Sequence, residues 1–277
     1  MTDVCVGSLD RKTFETLRRF VYEKSGITLG ETKRALVSAR LSKRMRVLGI
    51  ADYDDYLGYV MDDQTGIELT HLLDAISTNV TSFYRESEHF EFTARVFAEW
   101  LDQGQRRFRF WSAASSTGEE PYTLAMTLLD TAGSRSGIDM KILATDINTQ
   151  VLAKCRDGKY PEDKIKTVPE PMKSKYFERV YDKDGETFYT AKQSLKSIIV
   201  FRRLNLSQPP FPMKGPLDII FCRNVMIYFD NTVRKKMLAD MHRLLKPGGY
   251  LMVGHAESLT GLVKGFNAVK PSIYKKV

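Results

Sequence analysis

The sequence predicts an α/β fold in which a mostly parallel, Rossmann-like sheet follows a small all-helical domain. Three observations carry this. Residues 11–75 show helical patterns throughout, and from about Phe90 onward apolar runs of strand length alternate with helical patterns, as a parallel sheet requires. One of those runs, Phe108–Trp111, passes through Ser112-Ala113-Ala114-Ser115-Ser116-Thr117-Gly118 into a helix start at Glu119-Glu120-Pro121-Tyr122, the strand–loop–helix unit that opens a nucleotide-type pocket.

The helical domain is expected over residues 1–76, with helices from Thr13 to Lys24, Lys33 to Leu48, Tyr53 to Val60 and Ile67 to Ile76. The second stops at Gly49 and places Leu41, Met45 and Leu48 on one buried stripe. A linker, residues 77–89, holds Thr78-Asn79-Val80-Thr81-Ser82-Phe83-Tyr84-Arg85-Glu86. Residues 90–277 form the main domain, and right-handed crossovers put Phe108–Trp111, Ile142–Thr145, Leu217–Cys222 and Tyr250–Val253 centrally in its sheet. An insertion at about 157–197 breaks the rhythm. Within it Tyr176 to Tyr181 and Glu186 to Thr190 flank Asp182-Lys183-Asp184-Gly185, an Asp-Gly hairpin turn.

Chemistry concentrates at the carboxyl ends of the strands, where open α/β sheets bind ligands. Gly118 permits a tight backbone, Ser and Thr residues of the loop can cap the next helix, and Pro121 fits its first turn. The acids Glu119 and Glu120 beside the loop disfavour a pyrophosphate and favour a ligand with an amino group or positive charge. S-adenosylmethionine, a sulfonium, therefore fits better than a dinucleotide, with an ordinary strand–loop–helix connection as the alternative. Asp146 ends the second strand, where an acid can accept both hydroxyl hydrogens of a ribose or simply cap the next helix. Arg223-Asn224-Val225-Met226-Ile227-Tyr228-Phe229 follows the buried Leu217–Cys222 run at the same edge.

These segments, with Ser116–Tyr122, Ala144-Thr145-Asp146-Ile147, Asn205-Leu206, Phe221–Phe229 and Leu245-Lys246-Pro247-Gly248-Gly249, resemble the CheR family of chemotaxis receptor methyltransferases over nearly the whole chain. The Lys-Pro-Gly-Gly segment is common among methyltransferases, whereas the Phe221–Phe229 run is specific. The resemblance implies an S-adenosylmethionine-dependent methyltransferase that esterifies glutamates of receptor helices and releases S-adenosylhomocysteine. It also implies residue roles. Asn79, Thr81 and Arg85 line the amino-acid end of the cofactor, Glu120 lies near its amino group, Asp146 holds the ribose, and Asn205 and Leu206 border the adenine. Arg223, Asn224 and Tyr228 close the pocket near the methyl, with Arg85 and Tyr228 as the catalytic pair. Taken singly, Thr81 could be a helix cap, Arg85 a surface residue and Tyr228 a core residue. A glutamate carboxylate is already ionised near pH 7 and needs no general base, so alignment and a dry pocket carry the reaction.

The charge is unevenly distributed. Eleven Lys/Arg and three Asp/Glu lie between Arg11 and Ile50, a net of +8, whereas Ala51 to Ala75 holds seven acids and no Lys or Arg, a net of −7. Lys33, Arg40 and Arg44 share one stripe, with Lys43 beside it and Arg46 on the same helix. Such a face can be merely solvated, can meet nucleic acid, or, as the resemblance implies, can meet a glutamate-rich receptor bundle. The helix lacks interleaved stacking aromatics, which argues against RNA. In the family the insertion forms a small β-subdomain that in some members grips a receptor's C-terminal peptide by strand addition; this chain departs from the Gly-Leu pattern of those members, so tethering stays open.

No stretch approaches the ~18 consecutive apolar residues of a membrane span, and no signal region opens the chain, so a cytoplasmic, monomeric protein without membrane insertion is expected. Cys5, Cys155 and Cys222 are odd in number and widely spaced, which suggests buried thiols at 155 and 222 rather than disulfides. His71, His89, His242 and His255 show no metal-site spacing, and no metal is expected. Two other functions remain open: a methyltransferase for a nucleic-acid or small-molecule substrate, and a non-catalytic module that senses the cofactor.

Overall fold

The computed structural model describes residues 6–277, so Cys5 lies outside the described residues. Four helices open the chain: α1 (Arg11–Ser25), α2 (Arg34–Leu48), α3 (Tyr53–Met61) and α4 (Ile67–Ile76). Each has a local cause. Asp10 caps α1 by accepting from the Thr13 N–H, Asp52 caps α3 through the N–H groups of Asp54 and Asp55, and Gly26 and Gly49 end α1 and α2 in the left-handed conformation. Val37, Leu41 and Met45 form the buried stripe of α2, one turn earlier than expected, because Leu48 at the helix end is only half-buried. They pack with Phe14, Leu17, Tyr56 and Leu72 into a core of their own.

The rest of the chain runs α5 (Glu88–Asp102), β1 (Arg107–Ser112), α6 (Glu119–Ala132), β2 (Asp139–Asp146), α7 (Thr149–Asp157), β3 (Lys159–Pro161), α8 (Glu162–Ile165), α9 (Glu170–Tyr176), β4 (Phe177–Tyr181), β5 (Thr187–Ala191), α10 (Gln193–Lys196), β6 (Ile199–Arg203), β7 (Leu217–Cys222), α11 (Asn231–Leu244), β8 (Leu245–Val253), β9 (Phe266–Lys270) and β10 (Ile273–Lys276). The main sheet has the order β6-β2-β1-β7-β8-β10-β9. Its first five strands are parallel, and β10 returns antiparallel to β8 and β9. The four expected strands occupy the second to fifth places. The fully buried β7 reads as an apolar run broken only by Asp218 for that reason.

Neither edge was expected from the sequence: β6 is short and half polar, and the β9–β10 hairpin is largely exposed. The insertion forms a second sheet, β3-β5-β4, in which the expected hairpin pairs Tyr181 with Thr187 and Phe177 with Ala191. Strand β3 joins it through Lys159 opposite Thr190.

The helical domain sits on the carboxyl edge of the main sheet. Asn205 Nδ2 donates to the Lys24 carbonyl at 2.8 Å, the Tyr22 hydroxyl to Asp230 Oδ2 at 2.6 Å, and Thr149 N and Oγ1 to the buried Asp74 carboxylate at 2.8 and 2.6 Å. A Cβ on Gly26 would meet Ser207 Cβ at 2.6 Å, so the end of α1 approaches the loop after β6 as closely as a bare backbone allows.

Candidate active site

The loops after β1, β2, β6 and β7 meet the linker and the segment between α1 and α2 around one open cleft of about 1040 Å³, mouth included. Its floor is the loop from Ala113 to Gly118. Ala113 N donates to the Phe221 carbonyl and Ser115 N to the Thr145 carbonyl, both at 2.8 Å, which carries the loop down onto the flanking strands. Gly118 has φ 102°, and a Cβ there would lie 2.6 Å from the Tyr160 hydroxyl. The expected Ser/Thr cap is absent: Gly118 starts α6 without a side-chain hydrogen bond, and Thr117 turns its hydroxyl to Glu119 instead, at 2.6 Å. Glu119 is thereby buried outside the cleft, so only Glu120 of the acidic pair faces it.

Asp146 lines the cleft and is not the cap of α7. That place belongs to Asn148, whose Oδ1 accepts from Gln150 N and Val151 N. The Asp146 carboxylate accepts Ser116 N at Oδ2 and Asn148 N at Oδ1, each at 2.9 Å. An ionised carboxylate has about four acceptor sites, so these bonds do not exhaust it. Burial raises the Asp146 carboxyl above its ordinary range, against the pull of the Asn148, Ser116 and Ile147 N–H groups.

Arg223 builds one wall. It is buried, and its Nη1 donates to Glu120 Oε2 and its Nη2 to Glu86 Oε2, each at 3.0 Å, while Nη2 also contacts the Arg85 carbonyl. Glu120 further accepts the Ser112 hydroxyl at 2.7 Å. Burial pushes the Glu120 carboxyl upward, opposed chiefly by the Arg223 charge. For Glu86, burial is outweighed by the Arg223 charge and by hydrogen bonds from Arg223, Asn224 and the His255 N–H, which leave that carboxyl below its ordinary value. Asn224 follows with φ 56°, held by Glu257 Oε2 on its N–H at 2.8 Å; a Cβ on Gly254 would lie 2.4 Å from its Nδ2. Ser116, which lines the cleft as Asn224 does, also has positive φ, as do Tyr84 and Glu86 on either side of Arg85.

Opposite lies the apolar border. Leu206 is buried beside Leu204 and Ile147, whereas Asn205 has its polar atoms engaged, with Oδ1 accepting Ser207 N and Oγ. Asn79, Thr81 and Arg85 also line the cleft, and Arg85 Nη1 donates to the Val80 carbonyl at 2.8 Å. Tyr228 stands at the mouth. Its carbonyl accepts Thr28 N at 2.8 Å and Thr28 Oγ1 at 2.9 Å, and Lys33 Nζ lies 4.9 Å from its ring centroid.

Ser25, Ile27 and Leu29, which also line the cleft, escaped the sequence reading. Ile27 bridges to Phe229 from the far end of the chain, and no local pattern encodes that pairing. Glu86 and Glu257, the carboxylates that hold Arg223 and Asn224, were also without an assigned role.

The expected basic stripe is divided by the structure. Lys33 precedes α2, in the short 3₁₀ turn Glu31–Lys33, and lines the cleft. Arg40 turns inward and donates to the carbonyls of Ala75, Ile76 and Ser77 at 3.4, 3.1 and 2.8 Å, filling the acceptors at the end of α4. Arg44 forms a two-pronged pair with the buried Glu68, with Nη2–Oε2 at 2.5 Å. Only Lys43 and Arg46 of the five are exposed. Burial and spacing along a helix cannot reveal that two of its cations already have carbonyl and carboxylate partners.

Among the described residues no helix is long and apolar enough to cross a membrane, and Cys155 and Cys222 are buried free thiols.

Comparison with known proteins accounts for both domains. Residues 12–77 match the CheR methyltransferase all-alpha domain and residues 79–275 the CheR methyltransferase SAM binding domain. The chain is 38% identical over 275 residues to a chemotaxis protein methyltransferase of Borreliella burgdorferi, covering 97% of this chain and 95% of that one. It is also 38% identical over 264 residues to the chemotaxis protein methyltransferase of Escherichia coli, covering 94% and 89%. The cleft that joins Asp146, Glu120 and Arg223 therefore lies in an S-adenosylmethionine-binding domain, and the chain belongs to the CheR family of chemotaxis protein methyltransferases.

Proposed function

We propose that this protein methylates glutamate side chains in the cytoplasmic helical bundle of chemotaxis receptors, giving glutamate methyl esters and S-adenosylhomocysteine. One observation carries this reading: the acids suited to the cofactor, Asp146 and Glu120, share a cleft with the cations and hydroxyl suited to an incoming carboxylate, Lys33, Arg85 and Tyr228. When bound, S-adenosylmethionine supplies an electrophilic methyl on a sulfonium centre. Asp146 accepts its ribose hydroxyls, Leu206 borders its adenine, and Asn79, Thr81 and Glu120 meet its amino-acid end. Arg223 holds Glu120 and the Arg85 backbone together, and Asn224 completes that wall.

The substrate glutamate arrives ionised. Arg85 and Tyr228 would attract one carboxylate and orient it toward the methyl that the cofactor supplies, so that alignment carries the rate. No proton is removed in the transfer. Lys43 and Arg46 present the exposed charge on α2 that faces an acidic bundle, with Lys33 nearer the cleft. The free edge of β4 is where a receptor's C-terminal peptide could add a strand, and the protein acts as a cytoplasmic monomer.

The test is incubation with labelled cofactor and receptor-containing membranes. Label should enter the receptor and be released by mild alkali, as from a carboxyl ester. Alkali-stable label, or label in nucleic acid, would overturn the reading.

A further inference from the structure

Spacing along the chain gives no hint of a metal site, yet folding brings Glu86, His89 and His255 together so that one ligand atom of each lies within 4.8 Å of the others. None of the three lines the cofactor cleft; they stand behind its Arg223 wall. His89 is fully buried, and neither its Nδ1 nor its Nε2 has a hydrogen-bond partner. A neutral imidazole carries one donor and one acceptor, and leaving such groups unmet in the interior forfeits hydrogen bonds that water would have made. The ring is aimed into the cluster: Nδ1 lies 3.6 Å from Glu86 Oε2, and the ring stands edge-on to His255 with centroids 5.7 Å apart. From the solvent side, Glu88 Oε1 contacts His255 Nε2.

We infer that Glu86, His89 and His255 form a binding site for a divalent transition-metal ion of the zinc class, with Glu88 bracing the His255 ring. Two imidazoles with carboxylate oxygens suit zinc, nickel or cobalt, whereas magnesium and calcium prefer oxygen ligands throughout. The neighbouring Arg223 does not exclude a cation. Its guanidinium takes Glu86 Oε2 through Nη2 at 3.0 Å and Nε at 3.3 Å, whereas Oε1 holds only the longer bonds from Asn224 Nδ2 at 3.3 Å and the His255 N–H at 3.4 Å, the weaker pair for an ion to displace. Glu86, Glu88 and Glu120 together outweigh the single guanidinium, so the neighbourhood carries net negative charge. Occupation would give the unpartnered imidazole a ligand bond and brace the carboxylate that holds Arg223.

The tag-free full chain is titrated with Zn²⁺ by calorimetry and with Co²⁺ by visible d–d absorption, alongside His255→Ala and His89→Phe. We expect one ion per chain, a saturable cobalt band, and at least a tenfold weaker affinity in either variant. His255→Ala changes a side chain that is 56% exposed and leaves the core intact, so it keeps the test decisive if His89→Phe fails to fold. Absence of a saturable cobalt band in the wild type, or unchanged affinity in His255→Ala, would overturn the site. Metal binding is read without activity, so its failure leaves the methyl-transfer proposal standing.

Discussion

At the scale of single residues, Asp146 and Arg85 divide the work of the cleft between cofactor and substrate. Asp146→Ala removes the acceptor for a ribose diol, two charge-assisted hydrogen bonds of roughly 1.5–3 kcal/mol each before water compensates. Calorimetry with S-adenosylhomocysteine should show at least a tenfold loss in a folded variant. Because burial raises both the Asp146 and Glu120 carboxyls, they take up protons at higher pH than ordinary carboxylates, which titrate near 4. Protonation removes anionic acceptors, so cofactor affinity should begin to weaken on acidification before that range is reached. An affinity that stays constant down to ordinary carboxylate titration would contradict this assignment. Arg85→Ala, which deletes a fixed charge and its planar fork, should lower single-turnover methylation at least a hundredfold, and Tyr228→Phe less. The wild-type chemical step should stay level from pH 6 to 9 at saturating substrate; a steep rise abolished by one substitution would reveal a general base.

At the scale of elements, α2 shows how one helix separates structural from outward-facing charge. Arg44 and Glu68 form a pair in which Glu68 is nearly inaccessible and also accepts the Tyr56 hydroxyl at 3.0 Å. Arg44→Ala strands that carboxylate and should cost about 2–3 kcal/mol in denaturant unfolding. Lys43→Ala with Arg46→Ala should stay within about 0.5 kcal/mol of wild type while weakening receptor methylation at low salt, the difference fading as the ~8 Å Debye screening of physiological ionic strength shortens further. Cofactor affinity should be the same in both. The loop between β1 and α6 makes the opposite case, since its geometry is backbone. Gly118→Ala demands a left-handed φ and drives a methyl against the Tyr160 hydroxyl, which should lower the melting temperature and weaken cofactor binding together. A variant with wild-type affinity and stability would show that the loop is freer than its contacts imply.

At the scale of the whole molecule, the two domains make one site, because the end of α1 and the turn before α2 close over the carboxyl edge of the sheet. Local pattern was enough to determine the four opening helices, the four central strands, the insertion hairpin and the placing of Asp146, the Glu119–Glu120 pair and the 223–229 run at the carboxyl ends of strands, since apolar period, turn chemistry and strand ends are written within a few residues of one another. Other features depended on partners distant in sequence, and only the tertiary structure decided them. Arg40 and Arg44 became structural because α4 supplied carbonyls and Glu68. Glu119 turned away from the cleft because Thr117 met it. Ile27 reached Phe229, and His89 met His255, because the packing of separate cores set those distances. A sequence states which groups are available for hydrogen bonds and charge pairs; which group meets which is set by the burial of apolar surface over the whole chain, a non-local and non-directional force that no local pattern records.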